Sequence, residues 1–130
     1  MTKATGSQPT TFPDLLLQRM DVAKEVDIET RSPEGTVHRV TIWIVVVDKV
    51  PYVRSVRGAK GRWYRELTAR NEGALHVGSR RVAVRPTAVR APAAIDAVSA
   101  ALWRKYTKNS SLFSMLRLVT LDTTLRLDPL

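Results

Sequence analysis

Residues 36–47 have the sequence TVHRVTIWIVVV, and this stretch gives the main indication of the fold. The stretch alternates at first and is apolar on both faces at its end, which is typical of a central strand. Before it, residues 26–30 alternate as well, and residues 32–35 (SPEG) have the composition of a turn. After it, residues 48–51 turn the chain back into residues 52–56. The pattern predicts a three-stranded antiparallel meander with short connections.

The rest of the chain follows in the same simple order. Helical spacing of apolar residues predicts helices at about 13–24, 62–69, 93–106 and 112–116. Alternating segments predict a hairpin of 74–77 with 81–85 around Gly78-Ser79, and a last strand at 123–127. About six strands in hairpin order, with helices outside them, indicate an α+β barrel or a strongly curled antiparallel sheet. We expect a flexible N-terminal tail over residues 1–12 and one domain over residues 13–130.

Composition excludes several kinds of chemistry. The 130 residues are 44% hydrophobic and 25% charged, which suits one folded core. The absence of cysteine excludes disulfides, a thiolate zinc site and a cysteine nucleophile, and two histidines leave little for a metal site. No phosphate loop, dinucleotide fingerprint or nucleophile elbow is present. No apolar run approaches the roughly 20 residues of a membrane span, so we expect a soluble, cytoplasmic protein.

The net charge of +9 is concentrated in one segment. Residues 54–90 carry ten basic side chains, nine of them arginine, against two acidic ones, so +8 of the total lies there. The planar guanidinium group of arginine makes paired hydrogen bonds with phosphate or carboxylate. The segment therefore favours an anionic ligand, and the alternative is a solvated cationic face.

A candidate anion site lies inside that segment, where a glycine-bearing loop leads into a helix. Residues 58–61 (GAKG) offer backbone N–H groups and the ammonium of Lys60 at the start of the helix, where the helix dipole also favours an anion. The basic residues Arg54, Arg57, Arg62 and Arg65 flank this loop. Trp63 and Tyr64 follow it directly; they either stack on a planar ring or anchor the helix to the sheet.

Two further residues are candidates for a substrate pocket. Trp43 lies in the middle of an apolar strand, where packing in the core is the alternative to ligand contact. His38 could contact a ring or handle a proton, and its alternative is a structural histidine.

Three stretches carry a resemblance to a known family. Residues 29–48 (ETRSPEGTVHRVTIWIVVVD), 52–58 (YVRSVRG) and 61–67 (GRWYREL) resemble a small bacterial family of unassigned function. That family is similar in turn to the split β-barrel flavin- and deazaflavin-binding proteins, which include the deazaflavin-dependent nitroreductases. The match spans roughly residues 26–90.

The resemblance implies a six-stranded antiparallel split β-barrel with peripheral helices, which holds the phosphate and the ring edge of FMN or a deazaflavin coenzyme. Carried over by position, the hairpin arginine is Arg39, and the loop after the third strand is Ser55-Val56-Arg57-Gly58. Trp63 and Tyr64 fall beside the cofactor tail.

The leading hypothesis is therefore an oxidoreductase that uses a flavin or deazaflavin on a small organic substrate. Arg57, Lys60 and Arg62 would hold the anionic tail of the cofactor, and backbone donors near Ser55 would orient its ring. Trp43, with Trp63 and Tyr64, would shape the substrate cavity.

Two other hypotheses remain. The barrel could be a cofactor-independent isomerase or cyclase, or a ligand carrier of specialised metabolism, whose arginines grip a substrate carboxylate. The basic segment could also bind nucleic acid with its aromatic residues as stacking platforms, although no recognition helix is apparent. By analogy with split barrels we expect a homodimer.

Overall fold

Seven strands form one antiparallel sheet in a computed structural model that describes residues 12–130. The strands are β1 (Val26–Arg31), β2 (Val37–Ile42), β3 (Val45–Val47), β4 (Val50–Val53), β5 (Gly73–Val77), β6 (Arg80–Ala88) and β7 (Leu125–Pro129). Their order in the sheet is β2-β1-β5-β6-β7-β4-β3. The predicted α+β class and antiparallel sheet are confirmed, and the predicted count of six strands is corrected to seven.

The two edges of the sheet, β2 and β3, are joined by only Trp43 and Ile44. Two residues of extended chain span at most about 7 Å. The sheet must therefore curl until its first and last strands meet, which produces a half-open barrel. The predicted meander is wrong at this point, because β3 and β4 lie at the opposite edge from β1 and β2.

The break between β2 and β3 has a local cause. The backbone N–H of Ile44 donates to the Tyr106 hydroxyl at 3.4 Å, and its carbonyl accepts from the Lys105 ammonium at 2.7 Å. Side chains from a distant helix thus take the polar groups that a continuous strand would offer to a neighbouring strand. The long strand predicted over residues 36–47 is therefore two strands.

Four α-helices and two 3₁₀ helices accompany the sheet within residues 12–130. They are α1 (Asp14–Val22), α2 (Arg62–Arg70), α3 (Pro92–Lys105), α4 (Leu118–Leu121) and the 3₁₀ helices Gly58–Lys60 and Leu112–Leu116. The predicted helices agree with α1, α2, α3 and the second 3₁₀ helix within two residues. Helix α4 was not predicted. No helix of the described chain is both long enough and apolar enough to cross the hydrocarbon layer of a membrane.

The core has two parts that meet near the break in the sheet between β2 and β3. The larger part packs α1, through Leu16, Leu17 and Met20, against the concave face of the sheet. The smaller part packs α3 against β3, with Val98 and Leu102 on Val45. The predicted tail over residues 1–12 lies outside the described residues except for Phe12, which is buried in the larger part.

Candidate functional site

A pocket with a volume of about 670 Å³ lies at the break in the sheet between β2 and β3. This volume is within the range of small-molecule sites. Five pieces of chain meet there: the connection between α1 and β1, the end of β2, the segment that follows β4, the start of α2, and the segment that follows α3. Its lining residues are Glu25, Val40, Thr41, Ile42, Trp43, Arg54, Ser55, Val56, Arg57, Gly61, Arg62, Trp63, Asn109, Ser111 and Met115. We call it the split pocket.

Helix α2 begins at the wall of this pocket. Gly61 is its N-cap and makes no side-chain cap, so the N–H groups of the first turn have no side-chain acceptor. A Cβ at residue 61 would lie 2.5 Å from the Ser55 hydroxyl oxygen, which is too close for a side chain. Glycine is therefore required here for close approach and not for an unusual backbone conformation, since its φ is −58°. The uncapped helix start leaves polar N–H groups and the positive end of the helix dipole at the pocket.

Two arginines on the surface of the pocket stand beside this helix start. Arg57 and Arg62 are both exposed, and within residues 12–130 neither forms a salt bridge or a side-chain hydrogen bond. Glu25 is the one carboxylate among the lining residues. It also lines the neighbouring pocket together with Trp43. Arg54, Arg57 and Arg62 outnumber this carboxylate, so the described lining of the split pocket is positive.

Arg54 lies beneath the pocket and is 2% exposed. Its Nε donates to the Thr124 hydroxyl at 2.8 Å, and its two terminal nitrogens donate to the carbonyls of Met115 and Ile95 at 3.1 and 3.0 Å. All three acceptors are neutral, so no carboxylate in contact balances the charge. Burial lowers the pKa of Arg54 to about 10, which still leaves it protonated at neutral pH. The positive potential of this arginine adds to that of the pocket.

The loop between β4 and α2 is held firmly against the C-terminal part of the chain. Ser55 donates its backbone N–H to the Thr123 hydroxyl at 2.9 Å and its own hydroxyl to the Gly58 carbonyl at 2.8 Å. Gly58 has a φ of +71° and lies against the Val119 backbone. The Ser55 N–H is therefore already engaged. Of the backbone donors predicted in this loop, the N–H groups of Val56 and Arg57 remain available, because they have no partner within residues 12–130.

Trp43 forms the opposite wall and is held by an aromatic stack. Its ring lies 3.9 Å from that of Tyr106, at an angle of 7°. The Tyr106 hydroxyl donates to the Lys24 carbonyl at 2.7 Å. Burial raises the pKa of Tyr106 to about 12, so the hydroxyl remains a donor at all ordinary pH values. Trp43 is thus half-buried and fixed, with one face against tyrosine and an edge at the pocket.

The pocket brings together six of the predicted site residues: Trp43, Arg54, Ser55, Arg57, Arg62 and Trp63. Five others lie outside its lining. Gly58 is buried under Val119, Lys60 is exposed at the end of the first 3₁₀ helix, and Tyr64 packs on the larger core. The remaining two, His38 and Arg39, form pairs of their own on the sheet.

His38 and Arg39 are each held by a carboxylate. His38 Nδ1 lies 3.1 Å from both carboxylate oxygens of Glu66, a buried residue of α2. Burial raises the pKa of Glu66, but hydrogen bonds from Thr30 and His38 outweigh it and leave the pKa lowered. Arg39 Nε donates to Asp27 at 2.9 Å. These contacts fasten α2 and β2 to β1.

The remaining basic residues of residues 54–90 are not among the lining residues of the split pocket, and two of them contact other parts of the chain. Arg81 makes two hydrogen bonds with Glu29, which also pairs with His76 at 2.8 Å. The hydrogen bonds from Arg81, assisted by His76, lower the pKa of Glu29 to about 2 against the effect of burial. Arg70 donates to the Ser32 carbonyl at 2.7 Å. The segment thus divides between the split pocket and the sheet.

Sequence reasoning missed the residues that come from the C-terminal part of the chain. Asn109, Ser111 and Met115 line the pocket, and Thr123 and Thr124 hold Ser55 and Arg54. The segment 120–124 (TLDTT) is rich in threonine, which favours side-chain to backbone contacts, but nothing in it indicates a partner 70 residues away.

The fold is shared with solved structures of cofactor-binding proteins. An FMN-binding protein from Syntrophomonas wolfei subsp. wolfei has a TM-score of 0.63 at 14% identity, over 89% of this chain and 83% of that one. An F420 reductase has a TM-score of 0.59 at 17% identity, over 92% and 96%. HutZ, the haem storage protein from Vibrio cholerae, has a TM-score of 0.58 at 12% identity, over 94% and 92%.

These similarities define the class: the chain has the split-barrel fold of flavin- and F420-binding proteins, as the resemblance implied. No curated protein sequence matches it. The chain belongs to the family of uncharacterized proteins conserved in bacteria (DUF2255), whose family model matches residues 16–127.

Proposed function

We propose that the split pocket binds a flavin-type cofactor, FMN or a deazaflavin coenzyme, and that the protein is an oxidoreductase acting on a small organic substrate. The observation that carries the proposal is the positive lining of the pocket. Arg57 and Arg62 stand beside the uncapped start of α2, with Arg54 buried beneath them.

This donor set fits a phosphate-bearing cofactor. Arginine side chains and free N–H groups at a helix start are the groups that proteins use to bind phosphate. A buried arginine without a carboxylate is costly in a folded protein, and an anion nearby would reduce that cost. Trp43 and Trp63 supply flat apolar walls for a ring system.

Each residue then has a role in binding rather than in the chemical step. Arg57 and Arg62 hold the anionic tail, the N–H groups of Val56 and Arg57 are the free donors of the loop, and Trp43 limits where a ring can lie. A bound flavin or deazaflavin supplies hydride transfer. The chain itself positions the two reactants and keeps water from them.

The proposal is tested by titrating the purified protein with FMN and with a deazaflavin coenzyme, followed by absorbance and fluorescence. We expect binding of at least one of them, and weaker binding at higher salt, because the contacts are charged. The variants Arg57→Gln and Arg62→Gln should each weaken binding roughly tenfold, which corresponds to the loss of one charge-assisted hydrogen bond of about 1.5 kcal/mol.

Lys60→Gln is the matched control, because it removes the same charge from an exposed residue outside the pocket lining. It should change binding by less than about twofold. If neither cofactor binds, the proposal is wrong. If all three variants weaken binding equally, the tail is held by general charge attraction and not by this pocket.

A further inference from the structure

A second pocket of about 450 Å³ adjoins the split pocket. Glu25, Trp43 and Asn109 line both, so the two form one groove that bends around the Trp43 ring. The other lining residues of the second pocket are Asp21, Val22, Lys24, Lys105, Tyr106 and Lys108. None of the residues assigned to cofactor binding above reaches it except Trp43. We call it the lysine pocket.

The lysine pocket has an aromatic floor and one partly buried charge. The stacked rings of Trp43 and Tyr106 form its apolar part. Asp21, Lys24, Glu25 and Lys108 are exposed at its rim, whereas Lys105 is about half-buried. The ammonium of Lys105 lies 5.4 Å from the centre of the Tyr106 ring.

Within residues 12–130, Lys105 has one hydrogen-bond donor left for a ligand. Its Nζ donates to the Met20 carbonyl at 3.1 Å and to the Ile44 carbonyl at 2.7 Å, and an ammonium group has three donors. Both acceptors are neutral. Burial lowers the pKa of Lys105 to about 8, although the nearby Asp21 opposes this shift. A partly desolvated ammonium gains more from an anionic partner than an exposed lysine does.

We propose that the lysine pocket binds a compact aromatic acid, whose ring lies against Trp43 and Tyr106 and whose carboxylate accepts a hydrogen bond from Lys105. The three lysines outnumber the two carboxylates around the pocket, so the local charge also favours an anion. A neutral aromatic molecule of the same size would lose the contact with Lys105 and bind more weakly.

The proposal that the lysine pocket binds an aromatic acid depends only on the geometry of that pocket. The further step, that this acid is the substrate, rests on the proposed function, because Trp43 is then the wall that cofactor and substrate share. A substrate bound there would lie next to a ring held in the split pocket, as transfer of a hydride between them requires.

The probe is 4-fluorobenzoate, compared with the neutral 4-fluorobenzamide, and binding to the cofactor-free protein is followed by ¹⁹F NMR. We expect Lys105→Met to weaken binding of the benzoate by about 10- to 100-fold, as the loss of a charge-assisted hydrogen bond would. The variant should have little effect on the benzamide. Lys108→Met is the matched control, since it removes an exposed lysine of the same rim, and it should change the affinity by less than about threefold.

A second measurement does not depend on the folding of the variant. In the wild-type protein, ring protons of the benzoate should show nuclear Overhauser effects to the Trp43 and Tyr106 side chains. The absence of these effects, or a loss of affinity in Arg57→Gln instead of Lys105→Met, would overturn the inference.

The two proposals can fail separately. If the benzoate binds at Lys105 but no cofactor binds, the site stands and the oxidoreductase proposal fails. If a cofactor binds but the benzoate does not, the cofactor site stands and the lysine pocket is not an acid site. If both bind, prior addition of the cofactor should leave the benzoate bound, and the benzoate should shift the visible absorption band of the cofactor.

Discussion

Replacement of Gly61 by alanine tests how closely the loop after β4 is packed against the start of α2. The new Cβ would lie 2.5 Å from the Ser55 Oγ, whereas ordinary contacts begin at 3.4 Å. One of the two atoms must therefore move by roughly 0.9 Å. Ser55 cannot move freely, because its hydroxyl is bonded to the Gly58 carbonyl and its N–H to Thr123.

The expected cost follows from these contacts. Overpacking of a tight site costs about 1–3 kcal/mol, and loss of the Ser55 hydroxyl bond adds about 0.5–1.5 kcal/mol, so these two contacts together should lower the free energy of unfolding of Gly61→Ala by about 1.5–4.5 kcal/mol. Ser55→Ala alone should cost only about 0.5–1.5 kcal/mol, because the Gly58 carbonyl keeps its bond from the Gly61 N–H at 3.1 Å. In Ser55→Ala the clashing oxygen is absent. Gly61→Ala should then cost only about 1 kcal/mol, the ordinary penalty of alanine relative to glycine at an N-cap, which applies in both backgrounds.

Urea unfolding followed by circular dichroism gives all four free energies of this double-mutant cycle. We expect a coupling of at least about 1.5 kcal/mol, in the sense that the second substitution is better tolerated after the first. Independent sites add to within about 0.5 kcal/mol. A coupling below that value would refute the packing argument, because the alanine would then cost the same with or without the Ser55 oxygen.

Three further predictions concern the polar contacts. The Arg81 and His76 hydrogen bonds keep the pKa of Glu29 at about 2, below its ordinary value of 4.5, so they stabilise the fold above about pH 5 and this contribution is lost as the pH falls towards 2. Glu29→Gln should therefore lower the free energy of unfolding at pH 7 by about 1–2 kcal/mol, which is less than the pKa shift alone implies because Arg81 is exposed. It should also flatten the acid limb of a plot of unfolding free energy against pH. An unchanged acid limb would contradict this. Tyr106→Phe should cost about 1–2 kcal/mol in urea unfolding, because the bond to the Lys24 carbonyl is lost and the Ile44 N–H loses its acceptor, while the near-ultraviolet circular dichroism of the Trp43 stack is retained. Loss of that signal would mean that the hydroxyl, and not the ring, holds Trp43. Glu66→Gln should destabilise the protein by about 1 kcal/mol, because the amide oxygen still accepts from Thr30 but the bonds lose their charge assistance and an NH₂ donor replaces the oxygen that faces His38 Nδ1; equal stability in thermal unfolding would count against the described geometry.

Elements with local signals could be predicted from the sequence, and elements fixed by distant contacts could not. The hairpin around Gly78 and Ser79 and the helices α1, α2 and α3 depend on residues within a few positions of each other. The division of residues 36–47 into two strands depends on Lys105 and Tyr106, about 60 residues later. No pattern inside that apolar run indicates that the chain changes sheet edges at Trp43.

The same distinction holds for the candidate site. Arg57, Arg62 and Trp63 belong to one short segment around the start of α2, so the sequence alone could place them together. Arg39 was assigned to the site by resemblance and His38 by the chemistry of its ring, but their partners Asp27 and Glu66 are reached only through the pairing of β1 with β2 and the packing of α2. Alternation along a strand indicates which face a side chain occupies and says nothing of the charge opposite it.

The positions of the carboxylates determine which of the basic side chains are paired and which are available to a ligand. Asp27 and Glu29 lie on β1 and pair with Arg39 and Arg81, so those arginines carry little free potential. No described carboxylate contacts Arg54, Arg57 or Arg62, although all three line one pocket. A nucleic-acid surface would need a broad stripe of free cations along the outside of the molecule. A concave site lined by three arginines, two tryptophans and one carboxylate instead favours the compact ligand proposed above, which has an anionic end and a flat ring.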